Sequence, residues 1–219
     1  MTTVALERGV AAVSIGRMGL QGILGIPPSP TGLIIFAHGS GSGRLSPRNN
    51  HVAAGLRAEG LATLLLDLLT PGEETDRANV FDIPLLASRL RVAAAWAREI
   101  DGLETLPIGY FGASTGAGAA LLAASAPDSG IGAIVSRGGR VDLAGAKALA
   151  QVTAPTLLIV GSLDRPVIEL NRLALREMQC ESELAIVPGA SHLFDEGTTL
   201  DTVIDLAALW FNRYLPEQP

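Results

Sequence analysis

Six short apolar runs, each separated from the next by a segment that mostly shows helical periodicity, limit what this chain can fold into. The runs lack polar alternation, which is typical of parallel strands that helices cover on both faces. The repeated order of strand and helix predicts an α/β fold with a doubly wound, mostly parallel sheet and helices on both faces. The predicted strands are 33–37, 62–66, 108–111, 132–135, 156–160 and 184–187.

The intervening segments carry apolar residues at three-to-four spacing and predict helices at 47–60, 83–100, 116–126, 167–178 and 199–214. The N-terminal segment 5–27 is expected to add antiparallel edge strands, with 20–26 the best candidate. We find neither an internal repeat nor a low-complexity linker in the sequence. A single domain over residues 1–219 is therefore expected.

A candidate nucleophile lies in the sequence Gly112-Ala113-Ser114-Thr115-Gly116. An apolar strand precedes this Gly-x-Ser-x-Gly pentapeptide and a helix rich in small residues follows it, which is the strand–turn–helix context that the motif requires. The free N–H groups at the start of that helix favour negative charge near Ser114. The alternative is that Ser114 is an ordinary helix N-cap.

The predicted strand 33–37 runs into His38-Gly39-Ser40-Gly41-Ser42-Gly43. This glycine-rich loop indicates an oxyanion hole, and the backbone N–H groups of Ser40 and Thr115 are the candidate donors. A phosphate-binding loop is the alternative, but no Gly-Lys-Ser/Thr follows Gly43. His38 is expected to be structural, bonded to neighbouring backbone.

An acid and a base follow the last two predicted strands. Asp164 comes just after strand 156–160, and His192 lies in the loop after strand 184–187. The chain order Ser114, Asp164, His192 is that of α/β-hydrolases. We expect His192 to remove the serine proton and Asp164 to orient the imidazole. The alternatives are a helix N-cap for Asp164 and a surface loop histidine for His192.

Four segments carry a resemblance that extends from about Gly32 to Leu215. They are Phe36–Arg44, Phe111–Gly116, Ser136–Arg140 and Pro188–Phe194. With them the chain resembles the α/β-hydrolase superfamily and, within it, the dienelactone-hydrolase-like group. Similar domains occur alone and fused to phosphoribosyltransferases, and no second domain is expected here. Dienelactone hydrolases proper use a cysteine nucleophile, whereas Ser114 stands at that position here, which favours ordinary carboxylic esters.

The segment that could cover the substrate side of the predicted site is short. Residues 139–154 leave room for one helix and no cap domain, so we expect an open site for small esters. Arg44 and Arg137 are candidate substrate-binding residues that attract an anionic group, and Arg140 lies near them. The alternative for these arginines is an ion pair with Asp67, Asp82 or Asp142.

Composition excludes some function classes. The net charge of −6 and the pI of about 5.1 supply no basic face for nucleic acid. Cys180 is the only cysteine, which fits a cytoplasmic location, and no leader or membrane segment is expected. Neither metal-ligand spacing nor a cofactor motif occurs in the sequence, so no metal or cofactor is predicted.

The leading hypothesis is therefore hydrolysis of a small-molecule ester through an acyl-enzyme. Lactone hydrolysis or acyl transfer with the same three residues remains open. A catalytically silent ligand-binding module of the same fold is the alternative from another class. A homodimer formed by pairing of N-terminal edge strands also remains open.

Overall fold

A computed structural model of the chain describes residues 9–215, so the part of the predicted edge segment at 5–8 lies outside the described residues. One eight-stranded sheet forms the centre of the molecule. Its strands are β1 (Gly9–Ile15), β2 (Leu20–Ile26), β3 (Leu33–Ala37), β4 (Ala62–Leu66), β5 (Ile108–Ala113), β6 (Ile131–Arg137), β7 (Thr156–Gly161) and β8 (Ser182–Val187). The order across the sheet is β1-β2-β4-β3-β5-β6-β7-β8.

The first two strands form an antiparallel edge, and the remaining six run parallel. This confirms the predicted doubly wound, mostly parallel sheet. The bounds of β2 coincide with the predicted 20–26. Strand β6 is longer than predicted and includes Arg137 as its last residue.

In the described part of the chain, seven α-helices connect or flank the strands. They are α1 (Pro47–Ala58), α2 (Arg77–Val80), α3 (Ile83–Ala97), α4 (Thr115–Ala124), α5 (Ala146–Gln151), α6 (Arg165–Glu177) and α7 (Thr199–Tyr214). Five correspond to the predicted helices, and α7 has the predicted bounds. In residues 9–215, no helix combines the length and the apolar character that crossing a membrane requires.

The helices cover both faces of the sheet and bury two apolar cores. Helices α1 and α7 pack on one face, where Val52, Leu56 and Trp210 are buried. Helices α3, α4, α5 and α6 cover the other face, where Leu90 and Leu121 are buried. Because both faces are covered, the central strands are apolar throughout and show no alternation.

The chain changes direction across the sheet between β3 and β5, which are neighbours. From β3 it proceeds through α1 to β4 on one side, and it then returns through α3 to β5 on the other. A crevice forms at the carboxyl ends of the strands at such a switch point, and ligands bind there. The loop after β3 and the turn after β5 both open into this crevice.

The segment predicted to be too short for a cap folds as a 3₁₀ helix, Val141–Ala144, followed by α5. In the described part of the chain no cap domain covers the sheet edge, as predicted. A segment that was not predicted, consisting of the 3₁₀ helix Glu73–Thr75 and α2, lies after β4 instead. It is also at the carboxyl edge of the sheet.

Candidate active site

Ser114 occupies a strained turn between β5 and α4. Its backbone has φ 49° and ψ −122°, a conformation that costs a non-glycine residue about 1–3 kcal/mol. The turn is tight because Gly116 packs directly on the loop after β3. A Cβ added at Gly116 would lie 2.1 Å from the carbonyl oxygen of Ala37, so only glycine fits there.

The hydroxyl of Ser114 is not used as a helix cap. Ser114 is the N-cap residue of α4 by position, but its side chain makes no capping hydrogen bond. The residue is half-buried and lines a cavity of about 470 Å³. The geometry therefore argues against the alternative of an ordinary N-cap.

Asp164 and His192 are brought together from the ends of β7 and β8. The Nδ1 atom of His192 lies 2.6 Å from Oδ2 of Asp164. Asp164 is the N-cap residue of α6, yet its carboxylate makes no capping hydrogen bond. The carboxylate is bonded to the histidine instead, so the two residues that the sequence analysis expected to act together are in contact.

The loop that carries His192 is fixed by close packing on its neighbours. A Cβ at Gly161, the last residue of β7, would lie 2.3 Å from the carbonyl oxygen of Ala190 and 2.5 Å from that of Ser191. Phe194 is buried and has a φ of 57°, and it anchors the loop in the apolar core. The histidine is therefore held by backbone contacts as well as by Asp164.

Ser114 and His192 line the same cavity, at the carboxyl edge of the sheet. Both residues lie in the described range, and the Ser114 hydroxyl forms no hydrogen bond with the His192 imidazole. Nucleophile–base contacts are often long in substrate-free enzymes and shorten when the substrate is bound.

The loop after β3 lies against the start of α4. The backbone N–H of Ser40 donates a hydrogen bond of 2.9 Å to Oγ1 of Thr115. One of the two predicted oxyanion donors is thus paired with the side chain of the other residue. The N–H of Thr115 belongs to the first turn of α4, where N–H groups have no partner within the helix.

His38 holds the base of this loop. The N–H of Leu68 donates to Nε2 of His38 at 3.0 Å, so Nδ1 carries the ring proton and donates to the carbonyl of Gly39. The imidazole is buried and bonded to backbone on both sides. This is the structural role predicted for His38.

The three arginines of the predicted substrate side have different partners. Arg44 forms an ion pair with Asp67, and Arg140 forms one with Asp142 at 2.8 Å. The ion pair predicted as the alternative role is therefore found at both residues. The guanidinium of Arg44 is held by Asp67 and lines neither cavity at the site, which favours the ion-pair role for Arg44 over substrate binding.

Arg137 has no such partner. Only 8% of the residue is exposed, and its Nε and Nη1 atoms are buried without a hydrogen bond. It forms no ion pair with any residue of the described range 9–215, and it lines the cavity of Ser114 and His192. The pKa of Arg137 is lowered to about 10, chiefly by burial and also by the positive charge of Arg48, while the negative charge of Asp195 acts in the opposite direction.

A second cavity of about 380 Å³ is lined by residues 38–42 of the loop after β3. Its other lining residues include Leu69, Val80, Leu86 and Glu74. No sequence motif singles out these residues. The signal that could have found them is position, because the segment after β4 must leave the sheet at the edge where ligands bind.

No protein-family model matches the chain. Two curated proteins of Mycobacterium tuberculosis, from strains CDC 1551 and H37Rv and both named "Putative phosphoribosyl transferase", are 54% identical over 203 residues. The match covers 93% of this chain but 46% of each relative, so the chain spans about half the length of the curated relatives it matches.

Solved structures give matches over nearly the whole chain. A dienelactone hydrolase from Anabaena variabilis has 52% identity and a TM-score of 0.89, and the match covers 95% of this chain and 98% of that one. Est1E from Butyrivibrio proteoclasticus has 17% identity and a TM-score of 0.78, over 94% of this chain and 98% of the other. The latter likeness concerns the fold alone.

Proposed function

Because the chain belongs to the dienelactone-hydrolase-like family of α/β-hydrolases, we propose that it is a serine hydrolase that cleaves small carboxylic esters through an acyl-enzyme. In this proposal Ser114 is the nucleophile, His192 the general base and Asp164 the orienting acid. The N–H groups of Thr115 and Ser40 stabilise the oxyanion. No cofactor or metal takes part.

The observation that carries the proposal is the pairing of His192 with Asp164 at 2.6 Å beside the strained turn of Ser114. Two N-cap residues, Ser114 and Asp164, both leave their side chains out of helix capping. Structural roles would use those side chains as caps, whereas a catalytic role needs them free. Both side chains lie at the end of a strand that meets the same sheet edge.

The chemistry follows from these positions. His192 removes the proton of the Ser114 hydroxyl, and the oxygen attacks the ester carbonyl carbon. Asp164 fixes the proton of His192 on Nδ1, so that Nε2 is the basic atom, and it stabilises the imidazolium that forms. The imidazolium then gives its proton to the departing alcohol. In the second half of the reaction His192 removes a proton from water, the water oxygen attacks the acyl–serine ester, and His192 returns the proton to the Ser114 oxygen.

The oxyanion needs donors that are in place before the reaction. The N–H of Thr115 is free in the first helical turn, and the electric field of α4 favours negative charge there. The N–H of Ser40 is bonded to the Thr115 hydroxyl in the substrate-free state. We infer that this bond holds the loop in place and is exchanged for, or shared with, the oxyanion during the reaction.

Other reactions remain alternatives at the same residues. Lactone hydrolysis and acyl transfer differ only in the ring or acceptor that enters the cavity. A silent ligand-binding module has no use for an uncapped serine and a paired histidine. The transferase name of the curated relatives describes proteins about twice as long, and no feature of this site supports it.

A panel of p-nitrophenyl esters of increasing acyl length tests the proposal, with a lactone such as dihydrocoumarin as a further arm. We expect the highest kcat/KM for short acyl groups and loss of the activity in Ser114→Ala. Ser88→Ala is the matched control, because the Ser88 hydroxyl bonds to Leu85 within α3, away from the site. Equal rates for wild type and Ser114→Ala would overturn the proposal.

A further inference from the structure

Residues 38–43, which the proposal above places at the oxyanion, are called the oxyanion loop here. Two cavities flank this loop, and residues 39–42 line both of them. One contains Ser114, His192 and Arg137, and the other contains Leu69 and Leu86. An ester carbonyl held at this loop would extend its alcohol half and its acyl half to opposite sides. The two cavities thus offer separate places for the two halves of the substrate.

The position of His192 decides which half goes where, on the premise of the serine-hydrolase mechanism proposed above. His192 must give its proton to the departing alcohol oxygen, so the alcohol half lies on the side of the imidazole. His192 lines only the cavity that contains Arg137. We call this one the alcohol-side cavity and the other the acyl-side cavity.

The alcohol-side cavity contains a positive charge that lacks a negative partner. Arg137 is 8% exposed, and its Nε and Nη1 atoms have no hydrogen bond among residues 9–215. A buried charge without a partner is strongly unfavourable, whereas Arg44 and Arg140 nearby are both paired. Asp195, which is close enough to affect Arg137, forms its ion pair with Arg48 at 3.1 Å.

The backbone at Arg137 fixes this charge beside the nucleophile. Arg137 pairs with Ala113 across β6 and β5, and its carbonyl accepts a hydrogen bond from the N–H of Ser114. The backbone of Arg137 is therefore hydrogen-bonded to the strand and turn that carry Ser114. A substrate anion in the alcohol-side cavity would supply the partner that residues 9–215 do not.

The acyl-side cavity has the opposite character. Leu69, Val80 and Leu86 give it an apolar wall, and Glu74 adds a carboxylate. Neither lysine nor arginine occurs among the described residues that line it. Small apolar acyl groups suit this surface, and an anionic acyl group would be repelled by Glu74.

We propose that the substrates are esters of a small apolar acyl group with an alcohol that carries a carboxylate or a phosphate, and that Arg137 binds this anion. Guanidinium groups bind both anions through paired hydrogen bonds. The reaction itself is unchanged: the Ser114 oxygen bonds to the acyl carbon, the ester C–O bond breaks, and the alcohol leaves with the proton from His192. The anion takes no part in bond making.

Matched aryl esters test this assignment. In 3-acetoxybenzoate the anion is on the alcohol half, and 3-acetoxybenzamide is its neutral counterpart. In phenyl hydrogen succinate the anion is on the acyl half, and phenyl succinamate is the neutral counterpart. A further ester, 3-acetoxyphenyl phosphate, distinguishes phosphate from carboxylate recognition.

We expect wild type to prefer 3-acetoxybenzoate over the benzamide by about tenfold or more in kcat/KM, the effect of one hydrogen bond to a charged group. Arg137→Met should abolish this preference, and Arg137→Lys should restore part of it. The succinate should show no advantage over the succinamate. Arg140→Met controls for overall charge, because it removes a nearby cation that is already paired with Asp142.

A thermal shift with the product, 3-hydroxybenzoate, gives a second readout that does not depend on turnover. The product should raise the Tm of wild type but not of Arg137→Met, and 3-hydroxybenzamide should raise neither. Equal hydrolysis of 3-acetoxybenzoate and 3-acetoxybenzamide, or a preference for the benzoate that survives in Arg137→Met, would overturn the role of Arg137 in anion binding. Neither result would contradict the serine-hydrolase proposal. Failure to hydrolyse any ester would overturn the serine-hydrolase proposal, and the thermal shift would still decide on Arg137.

Discussion

The carboxylate of Asp164 lies 2.6 Å from Nδ1 of His192, although Asp164 occupies the N-cap position of α6, where a carboxylate normally bonds to the helix. The side chain thus leaves the N–H groups of its own helix for an imidazole 28 residues further along the chain. Helix capping contributes about 1 kcal/mol, and the protein forgoes it here. Such an exchange is what the proposed role of Asp164, orienting the imidazole, requires.

Replacing Asp164 by Asn should lower kcat by about 10³- to 10⁴-fold, because the amide no longer fixes the imidazole tautomer or stabilises the imidazolium. The free energy of unfolding should change little, since the side chain does not cap α6. Steady-state kinetics and urea unfolding check the two parts. Asp82→Asn is the matched control: Asp82 does cap α3, and Asn caps as well as Asp, so activity should be retained.

Thr115→Val should lower kcat by about five- to tenfold, because the N–H of Ser40 loses the hydroxyl that holds it and the oxyanion loop is less well positioned. Thr115→Ser keeps the hydroxyl and should retain most of the activity. Kinetics with p-nitrophenyl acetate measure both variants. A rise in kcat for Thr115→Val would mean that the hydroxyl blocks the donor and does not position it.

Gly116→Ala should destabilise the protein by about 3 kcal/mol or more, because its Cβ would lie 2.1 Å from the backbone oxygen of Ala37 and neither side can yield. Activity should fall with it, since the turn of Ser114 would shift. Urea unfolding gives the free energy. At Gly72 an added Cβ meets nothing within 4 Å, so Gly72→Ala is the control and should unfold at nearly the wild-type urea concentration.

The preference for an anionic alcohol half should stay constant between pH 6 and about pH 9 and then decline. The pKa of Arg137 is lowered to about 10, so the guanidinium stays protonated below that pH and loses its charge above it. The measurement is the ratio of kcat/KM for 3-acetoxybenzoate to kcat/KM for 3-acetoxybenzamide as a function of pH. Because both esters are hydrolysed with the same general base, the titration of that base changes both values equally and does not affect the ratio. A ratio that falls near pH 6–7 would indicate a histidine as the anion-binding group.

Much of the fold follows from patterns within short segments. Strand β2 and helix α7 have the predicted bounds because their apolar periodicity is strong and their ends are marked by turns. The positions of Ser114, Asp164 and His192 at the sheet edge could be predicted because each follows a recognisable strand.

Other parts of the site depend on contacts between distant segments, which local patterns do not encode. The pairing of Arg44 with Asp67 and the isolation of Arg137 are decided by which carboxylates the fold brings near. The bond from Ser40 to Thr115 joins residues 75 positions apart. The segment that contains the 3₁₀ helix Glu73–Thr75 and α2 is short and polar, so its hydrophobic periodicity is too weak to predict a helix.

Covalent labelling of Ser114 tests the central claim most directly. Treatment with a fluorophosphonate, followed by peptide mass spectrometry, should show a single modified residue, Ser114, in wild type. His192→Ala should react far more slowly although it remains folded, because its serine lacks the base that removes the proton. An unmodified Ser114 in the folded wild-type protein, or labelling that is equally fast in His192→Ala, would contradict the assignment of Ser114 as a nucleophile activated by His192.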